Sequence, residues 1–385
     1  MKIALCFWSE ESAAHPVAAV PSVARAVREC AAADVRSCVI VTPLLWAVPE
    51  GIAAKIERLA PGYPITFTNA ANVPPDCIAI SGEAIVAADV VAALHRGDEP
   101  GAEAAVWPSN SAHEADAMLR RREREIIMAS GKPGDGIVSR WLNRPVSRTI
   151  TRALLSMGPV PPVVATFGTA AISIAMFCAL VGLPGYQGQI WGALLFHAAS
   201  VFDGVDGEIA RITFRSSRLG ATIDSLVDLA TNIAFFLGLI SNFHQIGEWK
   251  VALVALVGLS FLSIGKLLLG CFAVANREPV TFNVVKDHFA RRRNGLKTVL
   301  TYLTMRDFYA LAAVVLIAAG LGKAGIYMFT TIVAGWLIAV TVTLWKMQAK
   351  MGAARLAVGQ MTGQETCAID PLPTSQLSAD ASNLH

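Results

Sequence analysis

The chain has 385 residues, of which 54% are hydrophobic and only 16% charged, with a net charge of +3. That balance is too apolar for an ordinary soluble protein, and the length exceeds one small domain. So small a net charge gives no support to nucleic-acid binding, and no nucleic-acid partner is expected. Seven cysteines (Cys6, Cys30, Cys38, Cys77, Cys178, Cys271 and Cys367) are scattered without a C-x-x-C pair. They read as reduced residues of a cytosol-facing protein. The opening MKIALCFW is too short an apolar run for a signal peptide.

Residues 1–130 read as a soluble α/β domain. Short β-type runs occur at 3–8, 38–42, 65–68, 77–80 and 104–107, with helical patterns at 18–33 and 84–95. Such alternation predicts a layered sheet with helices. Glu10, Glu11 and His15 have no second ligand cluster near them and read as a solvated loop. Residues 113–130 predict a charged helix that closes the domain. Its run at 120–124 reads as a solvated face, with anionic headgroups as the alternative contact.

Glycine and proline mark a linker at 131–136, inside a joining region that spans 131–160. From 138 to 154, apolar residues alternate with Arg140, Arg144, Arg148 and Arg152. A basic residue every fourth position predicts one cationic face and an amphipathic helix lying on the cytoplasmic surface.

Six apolar spans follow at 162–183, 189–211, 219–241, 249–275, 308–321 and 324–345, most near the ~20 residues that cross a bilayer. They predict an all-α, six-helix transmembrane domain over 161–350, with a disordered polar tail at 351–385. The loops at 182–188 and 241–248 lack Lys and Arg, whereas 140–152, 211–218 and 291–306 hold many. The positive-inside rule then places both termini and the 203–228 segment on the cytoplasmic side of an inner or plasma membrane.

That segment reads DGVDGEIARITFRSSRLGATIDSLVD. Asp203 and Asp206 are three apart, and Asp224 and Asp228 four apart, so each pair shares a helical face. The basic RITFRSSR between them lets the chain reverse and bring the pairs together. Four carboxylates at a bilayer edge repel one another unless a cation holds them, and hard oxygen ligands suit Mg²⁺, Mn²⁺ or Ca²⁺. Gly207, Ala210 and Gly220 are small enough for a ligand to approach the backbone, and Arg211 can contact a phosphate.

The pattern D-x2-D-G-x2-A-R-x8-G-x3-D-x3-D runs unbroken through Asp203, Asp206, Gly207, Ala210, Arg211, Gly220, Asp224 and Asp228. It resembles the signature of the CDP-alcohol phosphotransferases. The resemblance implies transfer of a substituted phosphate from a CDP-linked donor, CDP-diacylglycerol or a CDP-polyol, to an alcohol, with release of CMP. It implies one or two Mg²⁺ or Mn²⁺ ions on Asp203, Asp206, Asp224 and Asp228. By the same analogy Gly207, Ala210, Arg211 and Gly220 accept the CDP-donor. Asp228, beside the metals with a freer role, is expected to be the catalytic base.

Arg215 and Arg218 are the preferred ligands for an acceptor phosphate. Lys266, in the middle of the fourth span, either joins them or pairs with a site carboxylate. Arg291, Arg292, Arg293 and Lys297 suit a lipid surface or an acceptor phosphate, and Arg306–Asp307 opens the fifth span toward the site.

The N-terminal strand–helix order resembles the nucleotidyltransferase domain fused ahead of this membrane domain in bifunctional relatives, which make CDP-inositol and then di-myo-inositol phosphate phosphate. Here the first strand is followed by SEESAAHPVAAVPSVARAV, without the glycine-rich loop that would hold a triphosphate. A degenerate domain is expected, serving packing, homodimer formation or substrate delivery. DGIVSRWLNRPVS at 135–147 resembles the joining segment of those relatives and points to inositol phosphate or a similar polyol phosphate as acceptor. Many family members carry T-P-N at the start of the first span. Here VPPVVAT leaves only Thr166 for that contact. The alternative to an enzyme is an inactive membrane scaffold or transporter.

Overall fold

The computed structural model describes residues 2–98, 107–132, 134–275, 303 and 305–367, with side chains as far as residue 348. The N-terminal region is a small α/β unit. Its strands β1 (Lys2–Cys6), β4 (Cys38–Thr42), β5 (Ile65–Asn69) and β6 (Cys77–Ser81) form a parallel sheet in the order β5-β4-β1-β6. Ile3 lies opposite Cys38 on one side and Ile78 on the other. β4 reads CVIVT and is buried along its whole length, as a central parallel strand must be when both faces are covered. The covering helices are α2 (Ser22–Ala32), α3 (Glu50–Leu59) and α4 (Ala88–Arg96). A two-stranded hairpin, β2 (Pro16–Val17) with β3 (Val20–Pro21), sits between the short helix α1 (Glu10–Ala14) and α2. Of the expected run at 104–107, residues 104–106 lie outside the described residues.

The chain leaves β1 toward β4 and β5, then returns to pair β6 on β1's other side. Ligands of such sheets sit at this change of direction, beyond the carboxyl ends of the strands. Here the chain's own side chains fill it. Glu83 is fully buried and accepts bonds from the Trp8 backbone N–H (2.6 Å), Ser12 Oγ (2.7 Å) and Ser81 Oγ (3.1 Å). The Phe7 ring lies so close to Gly82 that any β-carbon there would collide with it. Where a phosphate-binding loop would follow β1, Ser9 caps α1 at once, in a reciprocal capping box with Ser12.

Helix α5 (Ala112–Met128) closes the unit. Asp116–Arg120, Arg121–Glu125 and Arg122–Glu125 pair along it at 2.8–3.0 Å; Arg120, Arg121 and Arg124 are exposed as expected, whereas Arg122 is half-buried. A π-helical turn (Ser139–Asn143) leads into α6 (Arg144–Ser156).

The described residues that follow are mainly helical: α7 (Pro162–Gly182), α8 (Tyr186–Ile212), α9 (Arg218–Gln245), α10 (Trp249–Ala275), α11 (Arg306–Ala318) and α12 (Gly322–Cys367). Four of these, α7, α9, α10 and the Gly322–Gln348 part of α12, are long and apolar enough to cross a membrane. α8 is long but carries Asp203, Asp206 and Glu208, and α11 has only 13 residues. α12 continues through Cys367, so residues 351–367, expected to begin a disordered tail, are helical instead. The basic run at 291–297 lies outside the described residues.

Aromatic rings fill the helical core: Phe196 stacks on Phe235 at 4.0 Å and Phe236 on Phe329 at 4.5 Å. Buried Asn242 ties three helices, donating to the Leu180 and Leu183 carbonyls (2.9 Å each) and accepting from Gln189 (3.0 Å). A polar side chain satisfied in this way fixes helix register where apolar packing alone would not.

Candidate active site

Helices α8 and α9 run in opposite directions from the turn at Thr213–Ser217 and carry the two aspartate pairs. The four carboxylates of Asp203, Asp206, Asp224 and Asp228 lie close enough to act on one another electrostatically. Asp203, Asp224 and Asp228 line one cavity of about 330 Å³, and Asp206 sits behind them, accepting from Thr166 Oγ1 at 2.9 Å. Thr166 of α7 thus orients a motif carboxylate.

Arg306, at the first turn of α11, reaches Asp203 at 2.8 Å and also pairs with Asp228. Tyr309, one turn later, donates to Asn232 Oδ1 (2.5 Å), and Asn232 in turn donates to the Asp228 carbonyl (2.7 Å). Asp307 accepts from the Ser139 backbone N–H at 2.8 Å and so joins α11 to the linker. Arg306–Asp307 therefore does face the site. Lys266 lines the cavity, and its charge reaches Asp228. Lys132, a linker residue that sequence reasoning passed over, stands on the cavity wall with its charge reaching Asp206 and Asp224.

As they stand, no three Asp, Glu, His or Cys side chains among the described residues converge into a closed metal cage. The donor chemistry nevertheless fits a hard cation. Asp224 Oδ1 is buried without a hydrogen-bond partner among the described residues. Arg306 makes ion pairs to Asp203 and Asp228, and no ion pair among the described residues reaches Asp224. A buried, unanswered carboxylate oxygen beside three more carboxylates is what a divalent oxygen-ligand site requires.

The remaining predicted residues lie elsewhere. Gly207, Ala210 and Gly220 are not on the wall of this cavity, and neither are Arg215 and Arg218, of which Arg218 is exposed. Arg211 turns toward the soluble unit and donates to the Ser130 carbonyl at 2.7 Å.

Glu208 was not singled out by spacing, yet it is fully buried within the motif. It accepts from Arg144 Nη1, Ser147 Oγ and Thr151 Oγ1, each at 2.7 Å. Arg144 also forks onto Asp135 at 2.7 and 3.0 Å. Arg144 therefore leaves the cationic face expected of 140–152, because a buried carboxylate needs a charged partner more than the helix surface needs a fourth arginine. Burial pushes the Asp135 carboxyl up, but the bidentate bond to Arg144 outweighs it and holds the group below its ordinary 3.8. The sequence signal was a glutamate in an apolar helix; its partner 64 residues away was not legible.

Residues 160–345 match the family described as CDP-alcohol phosphatidyltransferase. The chain is 35% identical over 145 residues to the bifunctional IPC transferase and DIPP synthase of Thermococcus kodakarensis, covering 36% of this chain and 31% of that protein. It is 30% identical over 172 residues to the protein of the same name from Archaeoglobus fulgidus, covering 42% and 33%. To the phosphatidylinositol phosphate synthase of Mycobacteroides abscessus it is 34% identical over 106 residues, covering 27% and 46%. The chain thus spans about a third of the length of the first two relatives. The eight-residue motif and its four carboxylates fall within the matched stretch, and residues 160–345 are similar to the CDP-alcohol phosphatidyltransferase family.

Proposed function

We propose that the protein is an integral-membrane transferase that moves a substituted phosphate from a CDP-linked donor to a hydroxyl of a small polyol phosphate and releases CMP. The observation that carries the reading is the shape of the cavity. It begins among Asp203, Asp224, Asp228 and Arg306, and it continues into an apolar pocket walled by Phe235, Phe236, Leu262, Ala313, Phe329 and Trp336. A polar head beside an apolar pocket suits an amphiphilic donor. CDP-diacylglycerol therefore fits better than a soluble CDP-polyol, and a phospholipid is the product. The filled crevice of the N-terminal sheet supports the same choice, since that unit has no evident place to make a CDP-polyol.

Asp203, Asp206, Asp224 and Asp228 would hold one or two Mg²⁺ or Mn²⁺ ions. When bound, such an ion offsets charge on the donor's pyrophosphate. Gly207, Ala210 and Gly220 are assigned to the donor's cytidine and phosphates by the motif alone; Arg211, which the motif groups with them, is turned instead to the Ser130 carbonyl. Arg306 holds Asp228 in place. Asp228 takes the proton of the acceptor hydroxyl as that oxygen bonds to the phosphorus distal to cytidine. The bond from that phosphorus to the CMP oxygen breaks, and CMP leaves with the electron pair. Lys266 and Lys132, both on the cavity wall, are proposed to meet an acceptor phosphate from within, and Arg215 and Arg218 to meet it from the cytosolic side.

The wider arrangement follows the sequence reading. Six helices cross the membrane, α8 and the short α11 completing the four apolar ones. Residues 138–156 lie on the cytoplasmic surface, both termini are cytoplasmic, and two chains associate. The unit at 1–130 is a non-catalytic nucleotidyltransferase relic, 131–160 joins it to the membrane domain at 161–350, and 351–385 is a tail.

The test is CMP release in Mg²⁺ or Mn²⁺ over a panel of CDP-donors and alcohols. Release with CDP-diacylglycerol and a polyol phosphate is expected. Release with none of the pairs would leave the inactive scaffold instead.

A further inference from the structure

A second cavity, of about 220 Å³, lies at the joint between the soluble unit and the cytosolic end of α8. It shares no lining residue with the carboxylate cavity. Its polar wall is cationic: Arg25 comes from α2, Arg122 from α5 and Arg211 from α8. Glu29 also lines it, but both its oxygens are engaged, one by Arg28 (2.8 Å) and the other by the Ala88 backbone N–H (3.1 Å).

The three arginines are not equally satisfied. Arg25 is 3% exposed and donates to the Val17, Ala18 and Ile212 carbonyls at 2.9–3.3 Å. Arg122 spends Nη1 on Glu125, and Arg211 spends Nε on Ser130. Arg122 Nε and Arg211 Nη2 are buried without a hydrogen-bond partner among the described residues. Burial pushes the Arg25 guanidinium down to about 10; Glu29 opposes this, while Arg28 and Arg122 press the same way. A joint that gathers three guanidinium groups and leaves two N–H donors unmet costs free energy until an anion or water enters.

We propose that this joint is a binding site for a small phosphate-bearing anion, held by Arg122 and Arg211 and separate from the transfer site. Two guanidinium groups from different elements present the forked donors that suit phosphate oxygens. The volume admits a phosphate or pyrophosphate, and Ile85, Ile126 and Phe214 close the rest with apolar surface. Most of the wall belongs to the soluble unit, so the ligand arrives from water rather than from the bilayer. Arg211 stands on the motif helix, so occupancy of the joint would bear on the residues beside it.

The test uses full-length protein in a zwitterionic detergent, titrated with inorganic phosphate and with pyrophosphate at constant ionic strength. Wild-type protein should bind saturably. Arg122→Gln should lose affinity about tenfold or more, the weight of one charge-assisted hydrogen bond. Arg121→Gln is the control, since it removes a bond to the same Glu125 from outside the cavity. It should bind as wild type. A second measurement needs no variant: phosphate should slow phenylglyoxal modification of Arg122 and Arg211 while leaving Arg121 unprotected. No saturable binding, equal loss in both variants, or protection of Arg121 alone would overturn the proposal. So would binding seen only with phosphatidic acid in a bilayer.

Discussion

At the scale of single residues, the proposed chemistry turns on Asp228. It lines the cavity, pairs with Arg306 and shares its helix face with Asp224. Asp228→Asn keeps the shape and removes the basic oxygen. It should bind CDP-donor yet release CMP about 10²–10⁴-fold more slowly, the usual span for a positioned general base. Equilibrium binding beside a CMP-release assay reads both halves, and unchanged turnover would take Asp228 out of that role. The eight motif residues could be read from the sequence because fixed short spacings on helices carry their geometry with them. Arg306 was visible only as a charge opening a span, and its two aspartate partners lie 78 and more residues away. Lys132 and Glu208 show the same limit, since nothing in local periodicity says which distant carboxylate a cation will find.

Among the elements, α6 and α8 are joined by polar contacts rather than by apolar packing alone. Arg144 is 5% exposed and Glu208 fully buried, so breaking the pair from one side strands a charge. Arg144→Ala should cost about 3–5 kcal/mol of stability, read by thermal or denaturant unfolding in detergent, and Arg144→Met paired with Glu208→Met should recover much of it. Asp135 adds a pH dependence. Its folded-state carboxyl is held below 3.8, so its contribution is fully present above that value and fades as pH falls through the lower folded one. Asp135→Asn should lower stability at neutral pH and flatten the acid limb of the unfolding curve below about pH 4. A helix within 138–154 was readable from its period, but the role of Arg144 was not. An amphipathic pattern counts faces and cannot see that one arginine is claimed by a buried glutamate. In the soluble unit, the missing glycine-rich loop was legible, whereas the Glu83 network that fills its place draws on residues 71 and 75 positions apart.

For the molecule as a whole, the proposed donor preference rests on the apolar continuation of the carboxylate cavity. Ala313 of α11 lies on its wall, packed against the aromatic core. Ala313→Phe should crowd that pocket and cut turnover of a long-chain CDP-donor about tenfold or more, while a short-chain donor and CMP itself are far less affected. Equal losses for both donors would mean the pocket does not receive the chain. The span count shows where hydropathy stops informing: α8 holds three acidic residues and α11 is short, so only packing against their neighbours defines them as parts of the bundle.

The bond between Arg144 and Glu208 reaches further than stability. Glu208 sits two residues beyond Asp206, so the helix proposed to float among the headgroups is bolted directly onto the reacting segment. Lateral pressure and thickness of the surrounding lipid act on such a helix. On that proposal, one guanidinium would carry the mechanical state of the sheet this protein helps to build to the spot where its constituents are joined.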